Sequence, residues 1–314
     1  MKKIFLVILS LILLLTLLIF IFIPGRLIIA ESRVVITTPI GFDTCLHKLE
    51  KWRQWWPGVS RPVGNDSLFT HDGYTYKLSA IYSDGATLRI ESNNISAEAR
   101  IQFIAYDRDS ISAGWKIVFK SGNNPINRIS QYKASRKLKK SMHVIFEALC
   151  HFAGKTENIY GFPIERTTFT EVNLIAYRFK SATYPTIEVI YDAVNNLRQY
   201  IISQGTAEKY YPMINTKQED SSQYETMIAI SVDKLIPASG NYFISQMIPM
   251  KDRFLATEVT GGPATLERAH SAIEKYMHDH SLSAPARPFD ILITERNKET
   301  DSVKWRTKIF YPSM

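Results

Sequence analysis

The chain has 314 residues, 45% hydrophobic and 22% charged, a balance that excludes a disordered or fibrous protein. Its two cysteines, Cys45 and Cys150, exclude a disulfide framework and leave open whether they pair with each other. The net charge is +8, and without Lys2 and Lys3 it is 8 − 2 = +6, too mild to imply a nucleic-acid partner.

From Ile4 to Ile23 every residue is apolar except Ser10 and Thr16. At ~1.5 Å per helical residue this run matches the ~30 Å hydrocarbon core of a bilayer. Lys2 and Lys3 precede it and Pro24-Gly25 stops it, so residues 1–25 are expected to be a transmembrane anchor, embedded through residues 4–23. The positive-inside rule then places the soluble body outside the cytoplasm, with Arg26 and Arg33 weighing against that orientation. A cleaved signal peptide is the alternative. Its apolar core is usually only ~7–15 residues, and Ile28-Ile29-Ala30 puts a bulky residue where a small one is needed.

Residues 31 to 38 read as a strand, and Pro39 opens a helix with Phe42, Cys45, Leu46 and Leu49 on one face, running into Trp52, Trp55, Trp56 and Pro57. Alternating segments follow at Tyr74 to Ile81, Thr87 to Glu91, Ala97 to Ala105 and Ser112 to Phe119, with turn signals at Asp84-Gly85 and Asn93-Asn94. After Gly122-Asn123-Asn124-Pro125 comes a long amphipathic helix with Ile129, Tyr132, Leu138, Met142, Ile145, Phe146 and Leu149 on its apolar stripe. Its other face carries Arg128, Lys133, Arg136, Lys137, Lys139 and Lys140, which reads as a solvated face or as a surface for an anionic membrane or ligand.

This element order, with Val34-Val35-Ile36, Pro39 and the Trp52-x-x-Trp55-Trp56-Pro57 helix end, resembles the START-like (SRPBCC, polyketide-cyclase-like) superfamily over residues 31–155. The resemblance implies a helix-grip fold, with a curved sheet around the last helix and an apolar cavity for a lipid or other hydrophobic ligand.

Beyond Gly161 the pattern repeats. Leu174 to Phe179 is a strand, a helix carries Ile187, Ile190, Tyr191, Val194, Leu197 and Ile201 on one face up to Gly205, and strands follow at Tyr211 to Thr216 and Glu225 to Val232. The second pass runs Phe254 to Val259, a helix from Pro263 with Leu266, Ala269, Ile273 and Met277, then Phe289 to Thr294 and Val303 to Tyr311. Tyr200 to Tyr276 and Pro212 to Pro288 span the same interval. Two strand-helix-strand-strand units related by a pseudo-two-fold axis would join their sheets edge to edge and leave a groove at the junction.

Gly261-Gly262-Pro263, the following helix, Pro288-Phe289-Asp290 and the closing Trp305-x-Thr307-x-Ile309-x-Tyr311-Pro312 resemble the GyrI-like effector-binding domain that follows AraC-type regulators, over residues 165–314. The resemblance implies a bacterial protein and an acidic residue in the groove that meets cationic or amphipathic ligands; a subset of the family hydrolyses its ligand. The matching acid is Asp290, a methylene shorter than the usual glutamate, and its counterpart in the first repeat is Ile214. The alternative reading makes Asp290 a turn former after Pro288. Tyr211, Phe289 and Trp305 are candidate aromatic walls for a cation, or core residues.

No nucleotide fingerprint, P-loop or G-x-S-x-G elbow is present, and the histidines, including His143, His270 and His278, do not fall at metal-ligand spacing, so neither cofactor nor metal is expected. The DNA-reading helices of the regulators are missing too. The expectation is an α+β protein: anchor, helix-grip domain, duplicated GyrI-like domain. Its expected activity is to bind a small amphipathic or cationic molecule through Asp290, Trp305, Phe289 and Tyr211. The rivals are a hydrolase in the same groove and an interaction module working through the basic helix. The oligomeric state is not legible.

Overall fold

The computed structural model describes residues 2–63, 66–92, 95–220, 222–247 and 251–314, so the expected Asn93-Asn94 turn lies outside the described residues. The first helix, α1 (Lys2–Phe22), is long and apolar enough to cross a membrane. Most of its leucines and isoleucines, from Ile4 to Ile21, are exposed.

The chain divides into two units, Met1–Ile159 and Tyr160–Met314. In the first, β1 (Arg26–Val35) begins directly after the Pro24-Gly25 stop, five residues before the expected strand. Leu27 and Ile29 already alternate inward there. The helix expected from Pro39 is two, α2 (Pro39–His47) and α3 (Leu49–Trp55), separated by the extended backbone of Lys48. The tryptophans account for the break: Trp52 Nε1 donates to the Leu46 carbonyl (2.7 Å) and Trp55 Nε1 to that of Cys45 (3.2 Å), occupying the carbonyls that end α2.

The sheet is completed by β2 (Val59–Val63), β3 (Asp66–His71), β4 (Tyr74–Tyr82), β5 (Gly85–Ser92), β6 (Ile95–Asp107) and β7 (Ser110–Lys120), in the antiparallel order β1-β7-β6-β5-β4-β3-β2. Gly85 turns into β5 with φ +151°, where a Cβ would stand 1.9 Å from the Ile101 carbonyl oxygen. Asn124 caps α4 (Pro125–Ala153) by accepting from Ile126 N, and the helix lays Leu138, Met142, Ile145, Phe146 and Leu149 against the sheet. Arg128 at its start stands over the Phe20 ring, 4.4 Å from the centroid.

The interior between sheet and α4, where a ligand cavity was expected, is filled with rings. Neighbouring pairs run Trp55–Trp52 (4.7 Å), Trp52–Phe69 (5.6 Å), Phe69–Trp56 (5.0 Å), Trp56–Tyr76 (5.0 Å), Tyr76–Trp115 (6.4 Å) and Trp115–Phe146 (6.3 Å). All are buried.

The short α5 (Thr156–Tyr160) precedes the second sheet, which holds β8 (Glu165–Thr167), β9 (Asn173–Ser181), β10 (Met213–Asp220), β11 (Gln223–Ser231), β12 (Tyr242–Gln246), β13 (Phe254–Thr260), β14 (Phe289–Leu292) and β15 (Arg306–Pro312). Helix α6 (Ile187–Ser203) follows β9, and α7 (Pro263–Asp279) follows β13. The strand order is β12-β9-β11-β10-β14-β15-β13-β8. Exchanging β9, β11 and β10 with β13, β15 and β14 maps the six central strands onto themselves, so the two repeats form one continuous sheet joined through β10 and β14. Residues 303–304, expected in the last strand, are in a 3-10 turn (Ser302–Lys304), and β8 and β12 are additional edge strands.

Candidate functional site

At the join, Met213 pairs with Ile291 and Ile214 with Asp290. The two positions related by the sequence repeat are therefore direct cross-strand partners at the centre of the sheet. On their face of the sheet, α6 covers Ile228, Ile230 and Leu292, while α7 covers Leu255, Val259 and Ile309. The strip between the two helices holds Ile214, buried at 6%, and Asp290, whose side chain is 14% exposed. Asp290 does not simply cap the Pro288 turn.

Asp290 has a partner that the sequence did not disclose. His270, two turns into α7, brings Nε2 to 3.3 Å from Oδ2 in a hydrogen bond and to 3.1 Å from Oδ1, outside hydrogen-bonding geometry. Its Nδ1 lies 2.9 Å from the Tyr311 hydroxyl, which donates to Glu274 (3.2 Å). With the Tyr311 proton on Glu274 and the Asp290 carboxylate at Nε2, both ring nitrogens of His270 face acceptors, an arrangement that favours the protonated ring. Burial opposes that charge, but the hydrogen bond and charge of Asp290, with Glu274 behind, outweigh it and raise the His270 pKa. Burial first, then Glu274, pushes the Tyr311 hydroxyl up as well.

A second cation closes the other side. Arg296, in the turn between β14 and β15, stacks its guanidinium over Trp305 at 5.0 Å and donates from Nη2 to Thr307 Oγ1 at 2.7 Å. Trp305 is held flat by its Nε1 bond to the Glu299 carbonyl. The turn is pinned from α6 by Tyr191, which donates to the Thr294 carbonyl and accepts from Arg296 N. Burial lowers the Arg296 pKa, opposed by the charges of Tyr191, Asp290 and Tyr184. Tyr184 is 58% exposed as a residue, yet its hydroxyl end is turned inward, where burial and then the charge of Asp290 raise its pKa. Arg296 Nε and Asp290 Oδ1 are buried atoms without a hydrogen-bond partner.

The four expected contacts separate. Asp290 sits in the strip, and Trp305 carries Arg296 on its face. Phe289 points the other way, as adjacent strand residues must. It stacks on Phe310 at 5.3 Å and 3° and packs against Phe169 and Phe254 on the opposite side of the sheet. Tyr211 is 46% exposed against Tyr210, and no described contact ties it to Asp290. A separate depression of about 360 Å³, lined by Tyr177, Asn196, Tyr200 and Tyr242 among others, lies at the β12 edge. Among the described residues its lining carries no carboxylate, lysine or arginine.

No family model and no curated protein matches the chain. Among solved structures, the chain is similar to EcmrR in a DNA complex (TM-score 0.43, 16% identity, 60% of this chain and 69% of that one) and to the EcmrR C-terminal domain (0.42, 14%, 49% and 98%). It is also similar to the Aha1 dimer protein of Colwellia psychrerythraea (0.33, 12%, 41% and 98%).

Proposed function

We propose that the chain is a membrane-anchored binder of a small amphipathic molecule, with α1 as the anchor and the strip between α6 and α7 as the site. One observation carries the reading. Ile214 stands at the repeat-related position, apolar and buried, so the fold does not require a polar group there. The second repeat nevertheless keeps Asp290, with half-buried His270 and Arg296 around it and with Asp290 Oδ1 and Arg296 Nε unpartnered, a desolvation cost that an interacting ligand would offset. The apolar flanks of α6 and α7 would take the ligand's hydrocarbon part and Asp290 its polar part, with Arg296 giving way from the face of Trp305.

The hydrolase reading gains an aspartate–histidine pair but loses the base. Both His270 nitrogens already have protein partners, Tyr311 and Asp290, so neither is free to take a proton from a nucleophile. In the first unit rings fill the interior, and the space beside it is a depression of about 500 Å³ lined by Tyr74, Ala134 and Lys137 among others.

The test is a thermal-shift screen of the full chain in neutral detergent against amphipathic cations and neutral compounds, on the unaltered protein, Asp290→Asn and Tyr211→Phe. A ligand of the folded state raises the melting temperature. The reading requires that the rise persist in Tyr211→Phe and disappear in Asp290→Asn; a rise untouched by Asp290→Asn defeats it.

A further inference from the structure

His143 has no metal-ligand partner among the histidines, but the fold supplies two carboxylates. Glu147 follows it by four residues on α4, hence on the same helix face one turn on. Glu31 arrives from β1, on the same inward parity as Leu27 and Ile29. Nδ1 of His143 is 2.6 Å from Glu31 Oε1, and one donor atom from each of the three residues lies within 4.8 Å of the other two. The scaffold is stiff: β1 is paired to β7 from Arg26 to Val35, and α4 is fixed beneath the cluster by buried Ile145, Phe146 and Leu149.

We propose that Glu31, His143 and Glu147 form a binding site for a divalent transition-metal ion of the zinc(II) class. Two carboxylates and one neutral imidazole balance a dication, and a nitrogen ligand selects zinc, cobalt or manganese over calcium and magnesium, which take oxygen alone. Ligand–metal distances of ~2.0–2.2 Å put the ligand atoms of a tetrahedral site ~3.4 Å apart, so the cluster contracts slightly around the ion. Side chains that are 21% (Glu31), 38% (Glu147) and 52% (His143) exposed leave an entry path and room for water in the remaining positions.

Arg33 competes. It comes from β1 to pair with Glu147, so the ion must displace a guanidinium that is itself 44% exposed and free to turn into solvent. That competition makes the site testable from both sides. The site is independent of the Asp290 strip.

The experiment is equilibrium dialysis of the full, chelator-treated chain in detergent against zinc(II) alone, with Glu31→Gln, His143→Ala and Arg33→Gln. Melting temperatures in chelator establish that each variant is folded. The unaltered chain should take up one zinc; Glu31→Gln and His143→Ala should each weaken uptake by at least about tenfold, and Arg33→Gln should strengthen it. Zinc held equally well by Glu31→Gln and His143→Ala, or no saturable uptake by the unaltered chain, overturns the proposal.

Discussion

Replacing Arg296 with alanine removes the protein's own cation from the face of Trp305. Two interactions go with it: the stack at 5.0 Å, worth ~0.5–2 kcal/mol when partly desolvated, and the hydrogen bond to Thr307, worth ~1.5–3 kcal/mol for a charged donor. Against them stands the relief of burying a guanidinium whose Nε is unpartnered, ~1–3 kcal/mol. At the midpoints of these ranges stability should fall by about 1.5 kcal/mol. A cationic ligand, by contrast, no longer has to evict Arg296, and it inherits both Trp305 and the charge of Asp290. Recovering ~1–2 kcal/mol tightens its binding by roughly 5- to 30-fold. Isothermal titration with tetraphenylphosphonium, compared with neutral triphenylphosphine oxide, measures the effect. If Arg296→Ala leaves the phosphonium affinity unchanged, or strengthens the neutral compound equally, then Arg296 does not occupy a cation's place and the reasoning fails.

Four other outcomes follow from the same geometry. Phe289→Ala should lower stability by ~3–5 kcal/mol, read as a shift in the denaturant midpoint, because it opens a hole in the Phe169–Phe254–Phe310 cluster. Ligand selectivity in that variant should stay as in the unaltered chain. The His270 pKa is raised in the fold, so its stabilising contribution is complete below the ordinary histidine value of ~6.5 and is lost as pH rises through the folded value; unfolding at stepped pH should show this dependence, and Asp290→Asn should flatten it. Cys45 and Cys150 are buried free thiols whose pKa burial pushes up to about 12, so a thiol reagent should find neither in the native chain and both in denaturant; rapid native labelling of Cys45 would contradict its zero exposure. Charge reversal at Lys137, Lys139 and Lys140, all exposed on α4, should leave ligand stabilisation intact, whereas its loss would favour the interaction-module reading.

The repeat was legible because two amphipathic helices, each begun at a proline or threonine and each flanked by alternating strands, leave a periodic trace. The edge strands were not. In β2 a proline interrupts the sequence pattern, β8 has three residues, and β12 is half exposed, so none carries a clear period-two signal in sequence. At the site, Asp290 came from the family resemblance, whereas His270 and Arg296 are brought to it by folding alone, one from the helix and one from a turn. Phe289 is different. Its adjacency to Asp290 on a strand already assigns it to the other face, a parity argument available without coordinates. The four-residue spacing of His143 and Glu147 does not mark a cluster by itself, because the third donor, Glu31, reaches them only through the sheet.

The cross-strand pair at the pseudo-axis bears on how such a chain could arise. In a symmetrical dimer of a single repeat, the residue at this position would face its own copy. Two aspartates there would confront each other across one ladder rung, and one would have to hold a proton; two isoleucines would leave no charge at all. Fusing the copies into one polypeptide removes that constraint, since the halves can then drift apart in sequence while the ladder between β10 and β14 is kept. A lone acid opposite a hydrocarbon is a state that gene duplication permits and that symmetry forbids.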